Sequence, residues 1–150
     1  MIRLNHTTKD DPDFNRLVSL LNAELKILDG KEHNFYQQYN GLENIEHVLV
    51  AYVNDTPMAC GALRERNHET TEIKRMFTIA EARGQGLASI LLKGLEKWAK
   101  DLGYLSCILE TGKRQKPAIA LYENQGYRKI PNYSPYEGVV NSVCYGKELF

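Results

Sequence analysis

The stretch Ile79-Ala80-Glu81-Ala82-Arg83-Gly84-Gln85-Gly86-Leu87-Ala88-Ser89 stands between a run of strand character, Glu72 to Ile79, and the most regular helical pattern in the chain. Leu87, Leu91, Leu95, Trp98 and Leu102 recur at three- and four-residue steps on one face, and Gly103 ends the helix. Glycines this close together at a helix start let backbone N–H groups approach an anion, and the helix dipole favours the negative charge. A tight turn with no ligand uses the same glycines, so the turn alone leaves both readings open.

Working outward, Ile2 to Asn5 reads as a short strand. Asp11-Pro12-Asp13 is a helix start, a capping carboxylate followed by a proline whose missing N–H does no harm. Phe14, Leu17, Val18, Leu21, Leu25 and Leu28 then keep helical spacing as far as Asp29-Gly30. A shorter helix is expected over His33 to Tyr39, ending at Asn40-Gly41. Val48 to Val53, the turn Asn54-Asp55, and Met58 to Arg66 read as a hairpin, with Asn67 to Thr70 as a second turn. Downstream, Tyr104 to Thr111 is a strand, Pro117 opens a helix to Gln125, and a last strand spans Asn141 to Leu149. Strands first, then strand–helix–strand–helix–strand, predict one α/β domain over residues 1–150 with a mixed sheet.

The chain has 150 residues, and its 19 Lys+Arg balance 19 Asp+Glu. That balance removes the electrostatic case for a nucleic-acid partner, and 43% hydrophobic residues argue against disorder. The longest apolar run, Val48 to Val53, falls far short of the ~20 residues a membrane span needs, and the first residues lack a signal-peptide core. Cys60, Cys107 and Cys144 form no CxxC pair and have apolar neighbours, so they read as buried strand positions in a reducing cytosol. His6, His33, His47 and His68 share no metal-ligand spacing, so no metal is expected. The expectation is a cytoplasmic protein that engages neither nucleic acid nor membrane, and whose partner is a small molecule or a protein.

Three phosphate motifs compete for the glycine turn. A P-loop requires Gly-Lys-Ser/Thr, which is absent. A dinucleotide (NAD-type) fingerprint finds Gly84 and Gly86 but Ser89 in the third place, and Glu110 stands where ribose binding would need an acid. Against it, about 80 residues precede a unit that usually opens its fold. The third pattern, Arg/Gln-x-x-Gly-x-Gly/Ala, is met by Arg83, Gly86 and Ala88. Here the sequence resembles the GNAT superfamily of N-acetyltransferases. The resemblance runs from Glu72-Ile-Lys-Arg-Met-Phe-Thr-Ile79 through the turn and its helix to Leu109-Glu-Thr111 and Ala118-Ile-Ala-Leu-Tyr-Glu-Asn-Gln-Gly-Tyr127. Two departures exist: Ala80 where many members have proline, and Gln115 where many have asparagine.

The resemblance implies a mixed, mostly antiparallel sheet splayed between two parallel strands, and acetyl-CoA as cosubstrate in the splay. Its pyrophosphate would meet Arg83, Gly84, Gln85, Gly86, Leu87 and Ala88, its pantetheine and acetyl groups would lie along Met76, Phe77 and Thr78, and Gln115 would add a side-chain contact. Direct transfer to a primary amine needs two proton tasks. By resemblance Tyr122 is the general acid, while Glu110 and Glu72 match positions used as base. Glu110, framed by Ile108, Leu109 and Thr111, is the first choice because a carboxylate in an apolar strand is expensive unless it has a task. Glu72, nearer the expected strand end, also reads as a solvated surface charge. Glu32, His33, Tyr36, Tyr133 and Tyr136 fall in segments that flank the acceptor cleft in the family, whose members are frequently homodimers. A non-catalytic acyl-CoA sensor on the same fold is the rival reading.

The zero charge is also a cancellation: residues 1–72 carry 12 acidic and 7 basic side chains, and residues 73–150 the reverse. The basic half holds the Arg83 turn and Lys113-Arg114-Gln115-Lys116, the acidic half Asp29 and Glu32, so an anionic cosubstrate and a cationic amine are expected on opposite sides.

Overall fold

A computed structural model describes residues 1–39 and 41–150. Strand β2 (Ile45–Val53) explains the central apolar run, because both of its faces are covered. Leu49 and Ala51 pack with the helix α3 (Leu87–Asp101), whereas Val48, Val50 and Tyr52 pack with α1 (Pro12–Asp29). Two-residue alternation between two apolar layers gives an unbroken hydrophobic stretch. Strand β3 (Thr56–Glu65) repeats the pattern, with Ala59 and Leu63 on the α3 side and Cys60 and Ala62 on the α1 side. The turn between β2 and β3 holds Asn54 and Asp55 at φ of 49° and 69°, the left-handed geometry of a tight hairpin.

Seven strands form one sheet in the order β1-β2-β3-β4-β5-β7-β6, with β1 at Ile2–Thr7, β4 at Thr70–Thr78, β5 at Ser106–Gly112, β6 at Arg128–Ile130 and β7 at Ser142–Glu148. Every neighbouring pair is antiparallel except β4 with β5. A doubly wound parallel sheet is therefore excluded, and the dinucleotide alternative falls with it. The parallel pair is short: Thr70 faces Ser106, Thr71 faces Cys107 and Glu72 faces Ile108, and there the pairing ends. Beyond Glu72 the two strands part, and the gap between them is the site described below.

Asp11 caps α1 as expected, its Oδ1 accepting from the N–H groups of Asp13 (2.9 Å) and Phe14 (3.0 Å). Phe14, Leu17, Val18 and Leu21 enter the core, but Leu25 and Leu28 are half-buried and line the gap between β4 and β5. The short α2 (His33–Gln37) follows a single 3-10 turn, and its expected end at Asn40 lies outside the described residues. On α3, Leu92 and Ala99 join the buried stripe, while Leu102 lies past the last helical residue and is exposed. The helix α4 (Lys116–Asn124) packs on the same layer as α3 through Tyr122. Strand β6 has too few residues to show a period and was not expected. Cys60, Cys107 and Cys144 are buried free thiols.

Candidate active site

A cleft of about 570 Å³ opens where β4 and β5 diverge. Its size falls within the usual range for small-molecule sites. One wall is β4 from Ile73 to Thr78, all six of which line the space. One edge of β4 is paired to β3, but past Glu72 the other edge has no strand beside it, so its backbone groups face the cleft. An open strand edge of this kind can take up an extended, amide-bearing chain.

The glycine turn closes one end. Gly84 and Gly86 sit at φ of 80° and 79°, with nothing within 4 Å of where a Cβ would stand, so conformation rather than crowding calls for glycine. Gly86 is the N-cap of α3, and no side chain caps that helix. The first N–H groups of α3 therefore remain free to meet an anion, beside a positive helix end. Gly84, Gly86, Leu87, Ala88 and Ser89 line the cleft. These features fit an extended amide chain bearing a pyrophosphate: an open strand edge, then an uncapped helix start. Met76, Phe77, Thr78, Arg83 and Gln115 line the same space, whereas Gln85 does not.

Glu110, on β5, faces away from the α3 core into the cleft. Burial pushes its carboxyl up to about 7, against the opposing effects of a hydrogen bond from Ser142 and the positive charge of Lys74. Ser142 Oγ donates to Glu110 Oε2 at 2.7 Å, and its single proton is then used, so Tyr36 donates its hydroxyl proton to Ser142 Oγ, also at 2.7 Å. Tyr36, Ser142 and Glu110 thus form a hydrogen-bonded chain from α2 to the cleft. Tyr122 lines the cleft from α4, its hydroxyl pKa raised by burial and by the Glu110 charge. Among the described residues its hydroxyl makes no hydrogen bond, which leaves its proton available.

Glu72 does not behave as the surface charge considered from sequence. It is 1% exposed, in the body of β4 rather than at its end. Tyr133 donates to its Oε2 at 2.7 Å, with Lys74 Nζ at 3.7 Å and Arg66 at 3.9 Å. It is held by these partners and does not line the cleft. The same correction applies to most residues expected at the acceptor. Of Glu32, His33, Tyr36, Tyr133 and Tyr136, only Tyr36 lines the space. Glu32 pairs with Arg114 at 3.4 Å, and Tyr136 accepts a hydrogen bond from Lys74 at 3.4 Å. Tyrosines on these segments pack on one another, Tyr36 over Tyr136 and Tyr133 against Tyr136, and so support the site from behind.

Three residues that sequence reading did not single out also reach the site. Lys74 and Arg75 line the cleft as buried cations, and Ser142 orients Glu110. The two basic residues stand in a strand that also carries Glu72 and three threonines, so their residue types alone did not mark them as buried. Ser142 at a strand start carries no sign either. Asp29 lines the cleft at the end of α1, its carboxyl pKa raised by burial. Among the described residues no cluster of three His, Cys, Asp or Glu has metal-binding geometry, and no helix is long and apolar enough to cross a membrane.

Comparison with known proteins agrees with this geometry. The model of the acetyltransferase (GNAT) family matches residues 14–127. YsnE of Bacillus subtilis, an uncharacterized N-acetyltransferase, is 31% identical over 150 residues, covering 96% of this chain and 99% of its own. A structure from Klebsiella pneumoniae, assigned as an acyl-CoA N-acyltransferase, superposes with a TM-score of 0.84 at 28% identity, covering 100% of this chain and 99% of that one. A GNAT family acetyltransferase from Elizabethkingia anophelis, solved with acetyl-CoA bound, has a TM-score of 0.72 at 22% identity over 98% of this chain and 97% of its own, and shares the fold.

Proposed function

The chain belongs to the GNAT acetyltransferase family, and from that premise we propose that it transfers acetyl from acetyl-CoA to a primary amine by direct attack in a ternary complex. The observation that carries this reading is the meeting, in one cleft, of an open strand edge, an uncapped helix start, a carboxyl near neutrality and a protonated tyrosine. Residues 1–150 act as one domain, and buried free thiols suit a reducing, cytoplasmic setting.

Acetyl-CoA supplies the activated acetyl group as a thioester. Met76, Phe77 and Thr78 hold its extended arm along the β4 edge, and the backbone of Gly84, Gly86, Leu87 and Ala88 holds its pyrophosphate, with Arg83 and Gln115 at the margins. An amine of ordinary pKa near ~10 enters protonated and must lose a proton before it attacks. Glu110 is the base: at a pKa of about 7 it is substantially ionised at neutral pH, yet basic enough to take that proton. Ser142 fixes its orientation, and Tyr36 fixes Ser142. Tyr122 is the acid: its raised pKa keeps the proton in place until the departing sulfur takes it. A backbone N–H on the open β4 edge is suited to the negative charge that develops on the acetyl oxygen.

The test is release of free thiol from acetyl-CoA across an amine panel. Acceptor-dependent release is the expected result. Stabilisation by acetyl-CoA without release from any amine would leave the acyl-CoA sensor reading instead.

A further inference from the structure

Four cations line the cleft: Lys74, Arg75, Arg83 and Arg114. Three have a carboxylate of their own. Lys74 lies 3.7 Å from Glu72, Arg83 2.6 Å from Glu24, and Arg114 3.4 Å from Glu32. Arg75 has no acidic partner among the described residues. It is 6% exposed, its Nη2 donates to the uncharged amide of Asn22 on α1, and its Nε is buried without an acceptor. Burial lowers its pKa, and only the Cys60 thiol acts the other way. A buried guanidinium with donors unfilled and no counter-charge is costly, so its persistence calls for a reason.

The backbone shows how it comes to be there. Along β4, Ile73 packs with the α3 layer and Phe77 with the α1 layer. Strict alternation would point Arg75 at α3. Instead the β3–β4 register shifts between Cys60 and Ala62, and Arg75 takes φ of 57°, an unusual conformation for a residue with a side chain. This bulge turns Arg75 to the α1 side, where it meets Asn22 and the cleft. The position lies inward of Thr78 along the strand, away from the glycine turn that suits a pyrophosphate, and next to Lys74, whose charge acts on Glu110.

We infer that Arg75 anchors a carboxylate on the acceptor, so that the acceptor is an amine that also carries an acidic group, as amino acids do. The inference rests on the acetyltransferase reading above. It fits the other charges of the cleft: Glu110 and Asp29 face an ammonium group, while the unpaired guanidinium faces a carboxylate. A zwitterion satisfies both, whereas a polyamine leaves Arg75 without an anion. The cationic amine expected from the charge split is thus narrowed to one with a compensating acid.

The experiment uses L-amino acids, each paired with its amide and its decarboxylated amine, at saturating acetyl-CoA. The acid should exceed both partners by at least about tenfold in kcat/KM, the scale of a charge-assisted hydrogen bond. Arg75→Gln should raise KM for the acid and bring the ratio near one, and Arg75→Lys should recover part of the preference. If Arg75→Gln fails to fold, the wild-type comparison decides alone, and equal kcat/KM for acid, amide and amine overturns the assignment. A rise in KM for acetyl-CoA rather than for the acceptor would give the guanidinium to the cosubstrate, and overturns it too. Turnover without preference for the acid overturns only this inference. No turnover of any amine removes the acetyltransferase reading, and the acceptor assignment with it.

Discussion

Glu110 lies under two opposing demands. Burial raises its pKa from an ordinary 4.5 to about 7, while Ser142 and Lys74 favour the charged form. The sign of the stability effect follows. Between pH 4.5 and 7 the folded protein keeps a proton that the unfolded chain has released, so stability falls across that window and stays lower above it. The size is on the order of 3 kcal/mol. Glu110→Gln should therefore gain about that much relative to wild type between pH 4.5 and 7.5, measured by urea denaturation at both values. In activity, wild-type kcat should climb through pH 7, and Glu110→Gln should lose that inflection together with a ~10²–10⁴-fold drop in rate. Tyr122→Phe should lower kcat by ~10²-fold at saturation of both substrates, and an unchanged kcat would assign the ring to packing alone. Glu110 was legible because a carboxylate among Ile108, Leu109 and Thr111 stands out. Arg75 was not, because its direction depends on a bulge that no local pattern announces.

At the scale of elements, β4 shows why position within a strand cannot be judged from neighbours alone. Its start at Thr70 places Glu72 inside the strand, under Tyr133, where a reading beginning at Glu72 placed it near water. Helix α1 was well marked by its cap and its periodic leucines, yet Leu25 and Leu28 continue the stripe past the core and into the cleft. Periodicity reports an apolar face without saying whether protein or ligand covers it. The cap and the glycine turn give separable outcomes. Asp11→Ala should cost about 1 kcal/mol in chemical denaturation while both KM values hold, since Asp11 lies away from the cleft. Gly86→Ala should also cost about 1 kcal/mol, because alanine resists φ near 79°. It should in addition weaken acetyl-CoA binding, as a direct titration would show.

The molecule as a whole is two antiparallel sub-sheets, β1–β4 and β5–β7, meeting through the three residue pairs of β4 and β5. The order of elements was readable from strand and helix periods, whereas the splay was expected only through the family resemblance, since nothing in either strand marks the residue at which pairing stops. The charge division of the sequence survives only in part: Asp29 reaches the cleft, whereas Glu32 is neutralised by Arg114. Acetyl-CoA at ~100 times its Kd should raise stability by about 2.7 kcal/mol, seen as a shift in the denaturation midpoint. NADH at the same concentration should give none.

The short joint between β4 and β5 also bears on how the protein is made and unmade. Strands β2, β3 and β4 follow one another as hairpins, so their pairing closes short loops and is fast, whereas β1 joins across the connection that carries α1 and α2. The β5–β7 half must dock across a seam with only three paired positions, and the cleft exists only once it has. A ligand that spans the seam touches both halves and binds the finished state alone. Acetyl-CoA at that excess should therefore slow unfolding by about a hundredfold and leave the refolding rate unchanged, as stopped-flow measurements on the two arms would show. That outcome would make the gap that admits the substrate the place where the chain first comes apart, with substrate supply setting how long the protein lasts.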